Sequence, residues 1–231
     1  MKSITIASLK GGVGKTTLAI YFAASLARQK KRVLLIDADP NNNLTDFFLR
    51  NEELDSLQSK SLYNILKGRV SISDTIRIVE PGLGVVPTTP ELAKAQNEFG
   101  ANPGTALRFH NALKSLDFDY IIFDTPPSLT YELYLALYNA DHVICPIGFS
   151  RWTIQGYQLI AEACAQNNVT EPVCVPFNVS KKDSERISEI ELPSTKTSIP
   201  KSAEFAKSAI NGKLSEKVWD EFSDLTKEIL R

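Results

Sequence analysis

Residues Lys10-Gly11-Gly12-Val13-Gly14-Lys15-Thr16-Thr17 stand between a short apolar run, Ser3–Ser8, and a helix-forming run, Thr16–Arg28. Glycines allow backbone amides to curl around phosphate oxygens, and a helix that begins at such a loop directs its positive end at them. An ordinary glycine turn before a helix is the alternative. The order of strand, loop and helix favours a phosphate-binding loop.

This loop predicts the contacts of a nucleotide phosphate chain. We expect Lys15 to reach the β- and γ-phosphates, and the Thr16 hydroxyl to be a ligand of Mg²⁺. The nucleotide-binding residues predicted here are Lys10, Gly11, Gly12, Val13, Gly14, Lys15, Thr16 and Thr17. ATP and Mg²⁺ are the expected cofactors.

Composition limits the classes of protein that this chain can belong to. It has 231 residues, of which 43% are hydrophobic and 23% charged, as in an average soluble globular protein, with a net charge of −1. A single domain over residues 1–231 is expected. Because the chain has no global basic character, any charged partner must meet a local patch.

Cysteine use and hydropathy indicate a cytoplasmic protein. Cys145, Cys164 and Cys174 form no CxxC pair, and two of them lie in apolar runs, so buried free thiols are expected. No run approaches the roughly 18 apolar residues of a membrane span. The glycine loop begins too early to leave room for a signal peptide.

Apolar, strand-like runs alternate with helical patterns along the chain. Most runs are apolar on both faces, as in parallel strands covered by helices on each side. An α/β fold is therefore predicted, with a doubly wound, mostly parallel twisted sheet and helices on both faces. The predicted strands are Ser3–Ser8, Arg32–Asp37, Gly84–Pro87, Tyr120–Asp124, His142–Ile147, Val173–Asn178 and Thr197–Ile199. The predicted helices are Thr16–Arg28, Ala106–Leu116, Thr130–Asn139, Thr153–Asn167 and Leu214–Leu230, with at most a short helix in Ser180–Lys196.

Three aspartates follow or end apolar strands: Asp37, Asp39 and Asp124. Ligands of open α/β sheets bind beyond the carboxyl ends of the strands, so these carboxylates should lie near the metal and the γ-phosphate. Asp124 and Asp37 are expected to hold Mg²⁺. Asp39 is placed to orient the attacking water. A single strand-end aspartate is more often a helix cap, but three beside a phosphate loop favour catalysis.

The spelling of these motifs resembles the ParA-type partition ATPases of the deviant Walker A group. The loop reads K-G-G-V-G-K-T-T, D-A-D-P-N (37–41) is similar to the family's D-x-D-P-Q with Asn41 for glutamine, and I-I-F-D-T-P-P-S-L (121–129) is similar to its switch II. The segments V-V-P-T-T-P-E-L, A-D-H-V-I-C-P-I and S-I-P-K-S-A-E-F follow in the family's order. The likeness is thinnest over Ser180–Lys196.

This resemblance implies a set of site residues and partners. Lys10 would cross a homodimer interface to the partner subunit's nucleotide, and with Lys15 and Asp39 it completes the expected catalytic set. Asn178 and the backbone at Ile199 and Pro200 would hold the adenine, although a strand end and a turn explain Asn178 equally well. The implied partners are a second copy that sandwiches ATP, non-specific DNA and a ParB-like centromere-binding protein.

A local excess of lysine offers a candidate DNA surface. The segment from Lys196 to Lys217 contains five lysines but only two acidic residues, Glu204 and Glu216. Lysine clusters on helices are usually solvated faces, and the family resemblance is the main reason to favour DNA here. The candidates are Lys181, Lys182, Lys201, Lys207 and Lys213.

The function that these features predict is ATP hydrolysis that positions plasmid or chromosomal DNA, in a cytoplasmic, nucleoid-associated protein. A MinD-like or protein-cargo positioning ATPase is the first alternative, although the acidic last helix does not favour an anionic membrane. A metabolic P-loop ligase of the biotin-pathway type is the second. Iron–sulfur and tyrosine-kinase relatives need cysteines or terminal tyrosines that this sequence lacks, and without a helix-turn-helix before the loop we expect no operator binding.

Overall fold

The computed structural model describes residues 1–230, without the side chains at positions 151, 152 and 154. Arg231, the last residue of the predicted domain, lies outside the described residues. Eight strands form one sheet within this part of the chain: β1 (Lys2–Ile6), β2 (Val33–Asp37), β3 (Arg77–Glu80), β4 (Leu83–Val86), β5 (Tyr120–Asp124), β6 (His142–Ile147), β7 (Val173–Val179) and β8 (Ile199–Pro200).

The sheet confirms the predicted doubly wound α/β fold. Its strand order is β3-β4-β2-β5-β1-β6-β7-β8, and every neighbouring pair is parallel except β3 and β4. In register, Asp124 of β5 lies beside Ile6 of β1 on one side and beside Asp37 of β2 on the other. The phosphate loop and the strand-end aspartates therefore meet at one edge of the sheet.

Helices cover both faces of the sheet. The helices are α1 (Lys15–Arg28), α2 (Asn43–Leu49), α3 (Leu54–Ser59), α4 (Leu62–Leu66), α5 (Ala95–Phe99), α6 (Pro103–Lys114), α7 (Tyr131–Tyr138), α8 (Arg151–Gln166), α9 (Lys181–Ser188), α10 (Ala203–Asn211) and α11 (Trp219–Ile229), with 3₁₀ turns at Pro90–Lys94 and Glu216–Val218. Apolar residues of α1, α2, α10 and α11 pack on one face, and those of α4 to α9 pack on the other.

Three features of the fold differ from the sequence-based expectation. The edge strand β3 has the short sequence RIVE, in which half-buried and exposed residues alternate, so it lacks the apolar run of a central strand. Helices α2 to α5 and α10 have at most nine residues each, too few to establish a clear apolar period. The last helix begins at Trp219 and not at Leu214, because a 3₁₀ turn precedes it.

The three cysteines are free and buried, as predicted. Cys145 and Cys174 lie side by side in β6 and β7, and Cys164 packs in the same apolar cluster. Burial raises the pKa of Cys164 to about 11 and that of Cys174 to about 12. These thiols therefore stay protonated and behave as small core residues.

Candidate nucleotide-binding site

The loop after β1 has the backbone of a phosphate cradle. Gly12 and Gly14 have φ angles of 72° and 93°, and α1 begins directly at Lys15 with no side chain capping its first amides. A Cβ at Gly14 would lie 2.3 Å from the ring of Phe177, so only glycine fits there. Nothing lies within 4 Å of the Cβ position at Gly11 or Gly12. The loop is closed on its core side and open on the other.

The open side faces a cavity of about 430 Å³, within the usual range for small-ligand sites. It is lined by the loop and α1, by the residues after β2, and by parts of α2 and α10. The lining residues are Gly11, Gly12, Gly14, Lys15, Thr16, Thr17, Ile20, Tyr21, Asp39, Asn41, Asn43, Asp46, Phe47, Pro127, Phe205, Ser208 and Ala209.

Lys15 lies within the electrostatic influence of two of the predicted carboxylates. Its side chain is buried, and burial lowers the pKa of the ammonium, while the charges of Asp124 and Asp39 oppose that shift. Burial takes the ammonium out of water, and a phosphate anion in the cavity would stabilise its positive charge instead. This placement fits the predicted role of Lys15.

Asp37 and Asp124 form a buried acidic pair at the ends of β2 and β5. Neither is exposed, and burial raises the pKa of Asp37 to about 7. Burial and the neighbouring Asp37 raise the pKa of Asp124 well above its usual range, which Thr16 and Lys15 partly oppose. Two adjacent buried carboxylates disfavour each other's ionised form, so they favour a bound cation.

The donor set at this edge fits Mg²⁺. Both carboxylate oxygens of Asp124 are buried without a hydrogen-bond partner among the described residues. No cluster of three or more potential metal ligands occurs within residues 1–230. Mg²⁺ keeps several waters and needs only one or two carboxylates besides phosphate oxygens, and Asp37 and Asp124 provide two. Thr16, Asp37 and Asp124 are the residues that would hold it.

Asp39 has a different environment. Its Oδ1 atom accepts hydrogen bonds from the backbone N–H of Asn41 at 2.9 Å and from the Asn41 side-chain amide at 3.0 Å. Both residues line the cavity. Asn41, which stands where the family pattern has glutamine, therefore braces this carboxylate and leaves Oδ2 free of it.

Lys10 and Val13 lie to one side of the main cavity. Both line a separate small crevice with residues of β6 and α8, and Lys10 is exposed. The Lys10 ammonium is therefore available to another molecule. Its predicted action on the partner subunit's nucleotide stays a prediction.

The residues predicted to hold adenine meet at the ends of β7 and β8, outside the cavity lining. Asn178 has a φ of 54°, and its Oδ1 accepts a hydrogen bond from the Ser202 N–H at 3.2 Å. Ile199 is buried and pairs with Phe177, and Pro200 is exposed. Their role stays a prediction.

Sequence reasoning missed the far end of the cavity, which is formed by Tyr21, Phe47, Phe205, Ser208 and Ala209. The Tyr21 hydroxyl lies 2.6 Å from Ser208 Oγ, and this pair joins α1 to α10. These residues come from three distant helices, so no local motif could have signalled them. The sequence drew attention to α10 only through its lysines, which were assigned to DNA and not to the nucleotide cavity.

The five predicted DNA-contacting lysines are distributed over α9, α10 and the adjoining loops. Lys181, Lys182, Lys201 and Lys213 are exposed. Lys207 is also exposed, but its ammonium lies 2.9 Å from the Glu204 carboxylate, which also faces Lys217 at 3.6 Å. Glu216 pairs with Arg28 at 2.5 Å. The local positive excess is therefore partly neutralised.

Known sequences place this chain among partition ATPases. A sequence profile described as an AAA domain matches residues 1–172. The chain is 37% identical to the chromosome-partitioning ATPase Soj of Thermus thermophilus, over 68% of this chain and 58% of Soj. It is 36% identical to the chromosome partitioning protein ParA of Myxococcus xanthus, over 66% of this chain and 54% of that protein. The matches thus span little more than half of these relatives.

Solved structures cover almost the entire chain. A Borrelia burgdorferi plasmid partition protein bound to AMPPNP has a TM-score of 0.87 and 27% identity, over 99% of this chain and 98% of its own. McdA of Cyanothece has a TM-score of 0.85 and 26% identity over both full chains. Cobyrinic acid a,c-diamide synthase of Mycobacterium smegmatis, with ADP and magnesium, has a TM-score of 0.80 and 26% identity over 100% and 94%. With a phosphate loop, strand-end aspartates and these relatives in agreement, the chain belongs to the ParA-type family of P-loop ATPases.

Proposed function

We propose that this chain is an ATPase that dimerises around ATP, binds DNA non-specifically and positions plasmid or chromosomal DNA. The observation that carries the proposal is a cavity lined by the glycine loop, Lys15, Thr16 and Asp39, next to the buried pair Asp37 and Asp124 at the ends of β2 and β5. The relatives named as partition proteins support it. A cytoplasmic, nucleoid-associated location follows from this role, and none of the described helices is long and apolar enough to cross a bilayer.

Each group of the site has a task in this proposal. Bound Mg²⁺ would neutralise charge that develops on the phosphates during transfer. The amides of the loop and Lys15 bind the phosphate chain, and Asp39, braced by Asn41, orients the attacking water. Lys10 acts on the partner's nucleotide, where cations supplied by another subunit are worth about 10³–10⁵ in rate in other systems. A ParB-like protein would stimulate the reaction and release the dimer from DNA.

A protein cargo is the second candidate, because the chain is 34% identical, over 63% of its length, to the maintenance of carboxysome distribution protein A of Synechococcus elongatus, and the structure of McdA covers the whole chain. The likeness to a diamide synthase keeps a metabolic role as a further outcome of the tests. A metabolic enzyme would turn ATP over with a small substrate and in the absence of DNA or a protein partner.

The molar mass in solution tests the proposal. Light scattering of the purified chain with ATP and Mg²⁺ should give twice the mass found with ADP. Equal masses with both nucleotides would contradict the ATP sandwich.

Two lysine variants separate binding from dimerisation. Lys15→Ala should abolish nucleotide binding, since its ammonium neutralises the phosphates. Lys10→Ala should retain nucleotide binding and lose dimerisation and hydrolysis. If Lys10→Ala dimerises and hydrolyses ATP normally, the lysine does not act across the interface.

A further inference from the structure

Asp37 is fixed by an unusually complete set of donors. Its Oδ1 accepts a hydrogen bond from the Asp39 N–H at 3.2 Å. Its Oδ2 accepts two from a single residue, Thr45, whose N–H lies at 2.8 Å and whose hydroxyl lies at 2.6 Å. Asp37 is fully buried, and Thr45 is 1% exposed. Both hydrogen bonds to Asp37 Oδ2 thus come from Thr45.

The direction of the Thr45 hydroxyl is set by a third group. The backbone N–H of Thr88, just beyond β4, donates to Thr45 Oγ1 at 2.9 Å. An amide N–H can only donate, so the hydroxyl accepts there and its own proton points to Asp37. Thr45 lies on α2, and it therefore joins three elements: β2 through Asp37, β4 through Thr88, and its own helix.

The neighbouring carboxylate has the opposite surroundings. Asp124 lies in register with Asp37, and neither of its oxygens has a hydrogen-bond partner among the described residues. One member of the acidic pair is held by three donors, whereas the other, which is near Thr16 and Lys15, accepts no hydrogen bond of normal geometry from the described residues. A metal site in which one carboxylate is oriented and the other is open depends on the group that orients the first.

We propose that Thr45 is a positioning residue of the Mg²⁺ site, which holds the Asp37 carboxylate beside Asp124 through its hydroxyl and its amide. This inference rests on the proposed nucleotide binding. Thr45 lines neither the phosphate loop nor the cavity. Its loss should therefore change the Mg²⁺ requirement and leave phosphate binding in place.

The test compares the Mg²⁺ dependence of nucleotide binding in four proteins. Thr45→Val removes the hydroxyl at nearly constant volume, and Thr45→Ser restores it. The matched control is Thr226→Val, because Thr226 is equally buried and its hydroxyl likewise donates once, to Ser223 O, and accepts once, from Gln29 Nε2. A fluorescent ATP analogue is titrated in EDTA and then at rising Mg²⁺.

We expect Thr45→Val to raise the half-saturating Mg²⁺ concentration by about tenfold, the lower end of the effect of groups that orient metal ligands. Its affinity in EDTA should stay within about twofold of the wild type, since phosphate contacts remain. Thr45→Ser and Thr226→Val should keep the wild-type Mg²⁺ midpoint.

Three results would overturn the inference. An unchanged Mg²⁺ midpoint in Thr45→Val would make the hydroxyl irrelevant to the metal. Equal losses in EDTA and in Mg²⁺ would make it a packing residue, and so would failure of both Thr45→Val and Thr45→Ser to fold. If the wild-type chain itself does not bind the ATP analogue, the proposed function fails instead, and this arm distinguishes the two.

Discussion

At the scale of single residues, Asp39 differs from Asp37 and Asp124 in position and in partners. Asp39 lines the cavity, whereas the other two are completely buried at the strand ends. Asn41 occupies only one of the two Asp39 carboxylate oxygens. The second oxygen is therefore open to a water molecule in the cavity, which supports the proposal that Asp39 orients water and does not hold the metal.

Asp39→Ala should slow hydrolysis without loss of ATP binding or dimerisation. Removing a water-orienting group raises the barrier and leaves ground-state binding, and such groups contribute about 10²–10⁴ in rate. Phosphate release and light scattering in ATP measure both quantities. Asn41→Ala should cause a smaller loss of rate, and Asp55→Ala on α3 is the control. A monomeric Asp39→Ala in ATP would reassign Asp39 to metal holding or structure.

The buried acidic pair predicts that the nucleotide-free protein loses stability as pH rises. Because burial raises the pKa of Asp37 to about 7, the folded chain binds more protons than the unfolded chain between about pH 4 and pH 7. The free energy of unfolding should fall across that interval, by about 1 kcal/mol or more. Urea unfolding at pH 5 and pH 7.5 measures it.

Asp124→Asn should reduce this pH dependence, since it removes one of the two carboxyl groups whose pKa burial raises, while the burial of Asp37 remains. Asp55→Asn, in an exposed position, should leave it unchanged. A wild-type chain that is equally stable at both pH values would show that the pair ionises freely in the folded state.

At the scale of elements, the parallel strands and the first helix were predictable, because buried parallel strands are apolar on both faces and the glycine loop marks the start of α1, whereas the edge strand β3 was not. The position and backbone of the phosphate loop were predictable from its glycines, whereas the tasks of its residues stay predictions. The contact between the ends of α2 and α10 was not predictable, since it joins the Arg50 side chain to a backbone carbonyl 160 residues away in the chain. Thr45 was also missed, because a hydroxyl eight residues from its carboxylate has no periodic signal.

Arg50 is the main link between α2 and α10. Its guanidinium donates to the carbonyls of Ile210 at 2.6 Å and Ala209 at 3.0 Å, at the carboxyl end of α10, and to Asp46 on its own helix. Gly212, with a φ of 61°, ends α10 against it. A cation at a helix carboxyl end satisfies free carbonyls and interacts favourably with the helix dipole.

Arg50→Ala should destabilise the chain by about 1–2 kcal/mol and loosen the end of α10. Chemical unfolding gives the first quantity, and hydrogen exchange at residues 208–213 gives the second. Arg50→Lys should recover only part of the loss, because an ammonium cannot span two carbonyls as a guanidinium does. Unchanged exchange in Arg50→Ala would show that Tyr21 and the aromatic packing hold α10 alone.

At the scale of the whole molecule, the question is whether a chain with a net charge of −1 can bind DNA. The predicted lysines lie on α9, on α10 and in the loops beside α10, and α10 also lines the nucleotide cavity. Hydrogen bonds from Lys207 and Ser215 lower the pKa of Glu204 to about 2, so this carboxylate stays ionised beside Lys207. The surface therefore has effective positive charge at some of its lysines and little at Lys207.

Salt dependence of DNA binding in ATP distinguishes these lysines. Each lysine that contacts a phosphate should, when replaced by alanine, lower the slope of log affinity against log salt by about 0.9. We expect that loss for Lys201→Ala and Lys213→Ala, and less for Lys207→Ala, because Glu204 already compensates its charge.

Glu204→Gln should strengthen binding and steepen the slope, since it frees Lys207 and Lys217. Lys30→Ala, at the far end of α1, is the control. If none of these variants changes the slope while wild type binds DNA, the DNA surface lies on another face of the dimer.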